Sequence, residues 1–337
     1  MYPLASGGDS LTPMDEQQAM VELPPAPEGY QWEELCVSVS GNNRRADVWL
    51  ASHFPHYSRS AVSRHFRSGR IVGRDRSVKA STLLRQGERL CFCRPVLHTL
   101  EPPPALPAVL YEDHRMIALD KPAGMLVHPA GGVFVWSLIA LARLARPGVH
   151  LHLVHRLDRD TSGVVVLAKD AEANRLLKDA FQRQASDKVY WAICRGAPRW
   201  DTLLVDAPIG DDTASEVRVR MGVRDDGQAA RTRLFVLARW RDRALVAAHP
   251  RTGRTHQIRL HLEHVGHPIL GDRLYGQPDE VFLHTIDHGI DAWTLGRIGW
   301  ARHALHARIL RLPHPEGHAV ELRAPMPTDM IAMLGGP

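Results

Sequence analysis

Residues 101–107 read E-P-P-P-A-L-P, and a run with four prolines in seven positions can neither continue a helix nor sit inside a sheet. It is best satisfied as a stiff, extended linker. The chain of 337 residues is therefore expected to fold as two bodies, a small one before the linker (96–108) and a larger one over 109–337. No apolar run approaches the 18 residues a membrane helix needs. The first residues lack a continuous apolar segment of the secretory kind, because Gly7, Gly8, Asp9, Pro13, Asp15 and Glu16 interrupt them. A cytoplasmic location is expected, with a monomer as the default state.

Charge divides the part before the linker again. Residues 1–43 contain no Lys or Arg and seven acidic residues, and P-P-A-P at 24–27 adds to their expected disorder. Residues 44–95 reverse the balance, with twelve basic residues against three acidic ones. Within them Ser58 can cap a helix in which Val62 and Phe66 lie four apart, Arg64 and Arg67 share a neighbouring face, and Gly69 supplies the stop. A shorter helix over 47–53 and strands near 70–72 and 89–93 would complete a compact α/β unit. Charge alone leaves a solvated basic surface as an equal alternative. The order R-A-D-V-W-L-A-S-H-F-P-x-Y-S-R-S, R-S-G-R-I-V and Q-G-E-R-L resembles the S4 RNA-binding domain, and that resemblance implies RNA binding by residues 44–95. Gly73-Arg74-Asp75-Arg76 departs from the Val-Asn-Gly turn usual there but keeps the charge.

After the linker, strand-like runs at 116–119, 164–168, 189–194, 234–237 and 244–248 interleave with two helical patterns. One covers 171–183, with Leu176, Leu177, Ala180 and Phe181 on a stripe; the other covers 255–265, with Ile258, Leu262 and Val265 inward. Neighbouring strands with few helices between them argue an α+β class.

The most informative segment is Val154-His155-Arg156-Leu157-Asp158-Arg159-Asp160-Thr161-Ser162-Gly163, which runs directly into the apolar strand Val164-Val165-Val166-Leu167. A polar loop feeding a buried strand fixes the backbone and leaves a side chain accessible. Asp160 is expected to bond backbone amides in a turn. Asp158 has no such role and is the candidate reactive carboxylate.

H-R-L-D-R-D-T-S-G resembles the central motif of the RluA family of pseudouridine synthases. K-P-A-G-M-L-V-H-P at 121–129, K-V-Y-W-A at 188–192 and R-T-G-R-T-H-Q-I-R at 251–259 resemble its other blocks in order, and the likeness spans most of 109–328. It implies a catalytic domain with a central mixed, largely antiparallel sheet and a cleft. It also implies Asp158 as catalytic carboxylate, Arg254 as its counter-ion and Tyr190 as a ring that stacks on the extracted uracil, with its hydroxyl a candidate base for the C5 proton. Arg259 is a weaker candidate for the same neighbourhood. His155, Arg156, Lys188 and Arg259, with Arg64 and Arg67 of the first unit, are candidate substrate contacts; His155 and His128 are expected to bond within the pocket walls.

Isomerising uridine requires breaking the bond from N1 to C1′, turning the base over, joining C5 to C1′ and releasing the C5 proton. A carboxylate can begin this by attacking C1′ or by taking the 2′-proton, and the sequence leaves both routes open. Neither metal nor cofactor is implied. His261 and His264 share a helical face, but no ligand set completes a site around them, and Cys36, Cys91, Cys93 and Cys194 form no C-x-x-C pair. Ribosomal RNA of the large subunit is the favoured substrate and transfer RNA the alternative. Two rival readings are an RNA-binding or ribosome-assembly protein without activity and a hydrolase that releases the base. Gln228, where a Lys is common, and the stretch 277–300 depart from the family pattern.

Overall fold

The computed structural model describes residues 21–27, 30–54, 59–95, 103–128 and 136–335. Contacts divide the chain into two compact units, the first built on residues up to 50 and 62–96 and the second on residues 51–61 and those from 97 onward. Ser58, the expected helix cap, and residues 1–20 lie outside the described residues.

Residues 30–95 form strand β1 (Tyr30–Cys36), helices α1 (Ala46–His53) and α2 (Arg59–Arg67), and strands β2 (Ile71–Gly73) and β3 (Arg89–Pro95), with most of them in the first unit. Its sheet has the order β1-β3-β2 and is antiparallel. On α2, Val62 and His65 are buried while Arg64 and Arg67 are exposed. Strand β1 gives regular structure to part of the acidic segment 1–43, which was expected to be partly disordered. Its carboxylates are cross-strand partners: Glu33 pairs with Arg94 at 2.8 Å and Glu34 lies 3.9 Å from Arg89. Excess negative charge in one segment and positive charge in the next is thus partly settled within one sheet. The turn at 74–76 is held by Asp75, whose carboxylate accepts from the Arg89 amide at 2.8 Å and from its guanidinium.

In the second unit residues 103–108 have no regular structure, and Leu106 packs against the core beside β5 and β7. They lead to β4 (Val109–Glu112), β5 (Met116–Lys121), α3 (Leu138–Ala145), β6 (His152–Leu153), β7 (Ser162–Ala168), α4 (Ala171–Gln182) and β8 (Asp187–Arg195). Next come β9 (Thr202–Asp206), β10 (Ile209–Asp211), β11 (Met221–Val223), β12 (Arg231–Arg239), β13 (Arg243–Pro250) and α5 (Gln257–His264). The chain then forms α6 (Asp279–His288), α7 (Ala292–Ile298), β14 (Leu305–Pro313), β15 (Ala319–Arg323) and α8 (Thr328–Gly335). Residues 277–300 contain a pair of helices. No helix among the described residues is long and apolar enough to cross a membrane.

The large sheet runs β4-β5-β7-β14-β8-β13-β12-β9, with β15 beside β14 and β6 beside β7. Only β14 and β7 pair in parallel, over Ser162–His306 and Gly163–Ala307. This is the mixed, largely antiparallel sheet of an α+β fold.

Strands β5 and β7 read as unbroken apolar runs because both of their faces are covered. Met116, Ala118, Val164, Val166 and Ala168 pack with Ala173 and Leu177 of α4. Ile117, Leu119, Val165 and Leu167 pack on the other face with Leu138, Ile139 and Ala142 of α3. Helix α4 starts where Asp170 accepts a 2.8 Å bond from the Ala173 amide. The other half of the sheet packs Val246, Ala248 and Leu234 against Ile258 and Leu262 of α5 and Met330 and Met333 of α8.

The two halves meet at β14, and the meeting requires Gly163. Its φ is +112°, and an added Cβ would lie 2.3 Å from the Ala307 carbonyl oxygen. Gly163→Ala is predicted to destabilise the protein by about 2–4 kcal/mol, from forbidden backbone geometry and overpacking together. Urea unfolding of the full chain measures this, and a change under about 0.5 kcal/mol, the size of an ordinary surface substitution, would contradict it.

Candidate active site

Asp158 lies in the loop that enters β7, and nearly every residue of that loop is tied down. The Thr161 amide donates to the Asp158 carbonyl at 3.2 Å, and Thr161 Oγ1 and His303 Nε2 are 2.8 Å apart. Ser162 Oγ lies 3.0 Å from His306 Nδ1. The Asp160 carboxylate pairs with Arg273 at 2.9 Å, and its carbonyl accepts from Arg302 at 3.2 Å. Asp160 therefore forms an ion pair where the sequence suggested an amide-bonded turn. Beneath the loop, fully buried Lys121 donates 2.9 Å bonds to the carbonyls of Pro122, Met125 and Arg159. Burial lowers its pKa to about 7, against the pull of Asp160 and Asp158.

Asp158 borders an open cleft whose lining includes Arg156, Lys188, Tyr190, Thr252, Arg254 and His256. Its Oδ2 is 3.2 Å from Arg259 Nη1, and the side chain keeps 27% of its surface open. Arg259 is buried and turns the rest of its fork to Asp272, with Nε at 2.7 Å from Oδ2 and Nη2 at 2.9 Å from Oδ1. Asp272 has no exposed side-chain surface and also accepts from the amides of Leu274 and Tyr275, at 2.9 and 3.1 Å. Tyr275 closes the arrangement: its ring lies 5.0 Å from the Arg259 guanidinium and its hydroxyl 2.9 Å from His256 Nδ1.

The electrostatics follow from this packing. Burial opposes charge on Asp272, and the Arg259 guanidinium overcomes it, holding the carboxyl well below its usual range. Burial also opposes charge on Arg259, and the two carboxylates more than offset it. At Asp158 burial works towards the neutral acid, while His256, Arg259 and His303 pull towards the anion and prevail. Since burial lowers His256 to about 4 and His303 to about 3, the cation that remains beside Asp158 near neutral pH is Arg259. Burial, reinforced by Asp158, pushes the Tyr190 hydroxyl up, so it stays protonated.

The expected counter-ion was Arg254, and the structure corrects this. Arg254 is exposed at the cleft rim and donates Nε to the Ala229 carbonyl at 3.2 Å. The helix begins later than expected, at Gln257, with His256 left-handed at φ 56°. Gln257 Oε1 accepts from the Arg254 amide at 3.0 Å and from Thr252 Oγ1 at 2.7 Å, fixing 252–254 as a loop. In the first turn of α5, Arg259 is the arginine that faces the carboxylates.

Other candidates separate in the same way. Tyr190 on β8 and Lys188 two residues earlier both line the cleft, and Lys188 Nζ donates to the Thr252 carbonyl at 3.4 Å. Arg156 is exposed at the cleft. His155 turns away from it: Nε2 accepts from the Val166 amide at 3.0 Å and the ring stacks on Phe181 at 4.8 Å. His261 is buried, with Nδ1 2.8 Å from Thr232 Oγ1 and Nε2 3.0 Å from the Ala207 carbonyl, so both nitrogens are occupied. Asp272, Tyr275 and His303 carried no sequence expectation of a role. They lie outside the H-R-L-D loop, and only folding brings them to it.

A family model described as RNA pseudouridylate synthase matches residues 115–264, which include Asp158, Tyr190 and Arg259. The chain is 37% identical to the ribosomal large subunit pseudouridine synthase D of Xanthomonas campestris pv. campestris, over 89% of this chain and 91% of that protein. It is 33% identical to the synthase D of Neisseria meningitidis serogroup B, over 86% and 78% of the respective chains. Against the ribosomal large subunit pseudouridine synthase C of Vibrio parahaemolyticus the identity is 32%, over 87% and 92%. Among solved structures, human RNA pseudouridylate synthase domain containing 4 matches with a TM-score of 0.53 and 30% identity, over 67% of this chain and 91% of that one. With the motif loop, the mixed sheet and this similarity along most of its length, the chain belongs to the RluA family of RNA pseudouridine synthases.

Proposed function

We propose that the protein isomerises uridine in ribosomal RNA of the large subunit, with Asp158 as the carboxylate that acts at the ribose. The names of the Xanthomonas, Neisseria and Vibrio relatives support that substrate. The observation that carries the catalytic role is the Asp158–Arg259 contact of 3.2 Å beside an open cleft. Arg259 holds Oδ2, and among the described residues no group bonds Oδ1, which is left for the substrate.

The target uridine must leave its stack to present C1′ to a recessed carboxylate. Asp158 then breaks the bond from N1 to C1′, either by forming an ester at C1′ or by taking the 2′-proton. Uracil leaves through N1, rotates in the cleft and returns through C5, and the C5 proton is released to solvent. Atoms balance without a co-reactant. Tyr190 provides a face for the base, worth about 1–3 kcal/mol by comparison with other base–aromatic stacks. Its protonated hydroxyl acts as a hydrogen-bonding group and not as a phenolate. Arg254, Arg156 and Lys188 stand at the cleft to hold the RNA backbone. In the first unit, the S4-like order of motifs and the exposed Arg64 and Arg67 of α2 support a second grip on RNA.

Tritium release from ribosomal RNA labelled at uridine C5 tests the reading, with transfer RNA as the comparison. The wild type releases tritium from ribosomal RNA and leaves pseudouridine; Asp158→Asn binds the same RNA and releases none. Turnover by the variant would remove Asp158 from its role, and release from transfer RNA alone would overturn the substrate. Arg259→Lys keeps a cation but loses the fork between two carboxylates. It is expected to lower kcat about 100-fold, comparable to losing one oriented donor in other active sites, with KM little changed. A loss confined to KM would make Arg259 an RNA contact instead. Arg64→Ala with Arg67→Ala should weaken RNA binding and reduce the salt slope of log Kd by about 1–2, while kcat at saturating RNA persists. An unchanged slope would remove these two residues from the interface.

A further inference from the structure

The hairpin between β14 and β15, P-H-P-E-G-H over 313–318, contributes no residue to the lining of the cleft at Asp158. It lies at the end of β14 remote from Leu305, and a strand of this length, Leu305–Pro313, spans about 26 Å at ~3.3 Å per residue. The turn is backbone-locked: the His314 amide donates to the His318 carbonyl at 2.7 Å, the Gly317 amide donates to the His314 carbonyl at 2.8 Å, and Gly317 has φ +94°. Within it, donor atoms of His314, Glu316 and His318 all lie inside 4.8 Å of one another.

We propose that His314, Glu316 and His318 form a binding site for a divalent first-row transition cation of the Zn²⁺ type, independent of the isomerase site. The donor set is two imidazoles and one carboxylate, which suits zinc-like cations and is poor for Mg²⁺ or Ca²⁺. His314 has no exposed side-chain surface and is oriented from behind: its Nε2 lies 2.7 Å from Asp113 Oδ2, at ion-pair distance though off the line of a hydrogen bond. That contact favours the proton on Nε2 and directs the Nδ1 lone pair towards Glu316, whose Oε2 is 3.8 Å away. Nδ1 meanwhile accepts a 3.2 Å bond from the Glu316 amide, which a cation would displace. A carboxylate behind a ligating histidine is the usual outer-shell partner of a metal site.

Asp113 is itself fixed, accepting from Tyr111 Oη at 2.7 Å and from the amides of Arg115 and Met116 at 2.8 Å. The second oxygen of Glu316 lies 2.8 Å from His114 Nε2, which orients that carboxylate too. The rings of His314 and His318 stack 4.2 Å apart, so the exposed His318 ring would turn to aim its in-plane lone pair at a cation shared with His314. A bound cation would tie the hairpin to the turn between β4 and β5 that carries Asp113 and His114.

The test uses the full chain without a histidine tag, stripped with a chelator and titrated with Zn²⁺ against a chromophoric competitor, with Co²⁺ absorption as a second readout. The wild type should take up one equivalent in this site and show cobalt ligand-field bands. His318→Ala and Glu316→Gln change exposed side chains, so circular dichroism should be unaltered, while each weakens Zn²⁺ binding at least tenfold and removes the bands. Asp113→Asn should weaken it about 10–100-fold, as loss of an outer-shell partner does elsewhere. Absence of stoichiometric uptake by the wild type, or equal affinity in His318→Ala and Glu316→Gln, would overturn the proposal.

Discussion

The active site depends on one guanidinium shared between two carboxylates. Arg259 meets Asp272 through two parallel hydrogen bonds and Asp158 through one, at 3.2 Å. The division of labour follows from burial. Asp272 is sealed and its oxygens are committed to Arg259 and to backbone amides, so it positions the guanidinium. Asp158 keeps part of its surface open to the cleft, so the same guanidinium keeps it charged without covering it. Arg259 alone, buried beside Asp158, would be a poorly restrained ion pair; the bidentate geometry to Asp272 gives it direction. Such a buried triad is no evidence of added stability, since desolvation offsets much of its attraction. Its value lies in the charge state and orientation of Asp158.

The sheet explains why these residues meet. Two antiparallel halves join at β14, and the short parallel contact with β7 puts the motif loop beside the segment that precedes β14. His303 and His306 reach Thr161 and Ser162 across that seam. Tyr190 comes from β8 on the other side of β14, and α5 brings Arg259 in from the connection after β13. Gly163 belongs in the motif for a steric reason, because the Ala307 carbonyl occupies the space of a side chain.

Local signals in the sequence were sufficient for much of this. Unbroken apolar runs identified β5 and β7, a stripe of apolar positions identified α4, and a polar loop entering a buried strand singled out Asp158. What failed was information that exists only after folding. Arg254 and Arg259 are five residues apart in one motif; the resemblance pointed to Arg254, which an expected helix start at 255 also put at the helix mouth, whereas α5 starts at 257. That start was set by Gln257 tying down the preceding loop and by a left-handed His256 held against Tyr275, neither of which leaves a periodic trace. Strand β1 was obscured by its acidity, because the charges that answer Glu33 and Glu34 lie about sixty residues later, on β3. Asp272 showed no functional signal of its own, and its weight comes from complete burial opposite an arginine.

The central claim, that Arg259 keeps Asp158 ionised against the desolvation of its site, is tested most directly by the pH dependence of single-turnover isomerisation in the wild type and in Arg259→Gln. With Arg259 present the carboxyl lies below its ordinary range, so the rate should hold steady down to mildly acidic pH and fall only when Asp158 is protonated. Without it, burial is less opposed and the folded-state pKa rises, so the acidic limb of the profile should move to higher pH, with part of the lost rate recovered as pH increases. A uniform loss of rate with the acidic limb unmoved would contradict the account and leave Arg259 a purely structural or RNA-binding residue.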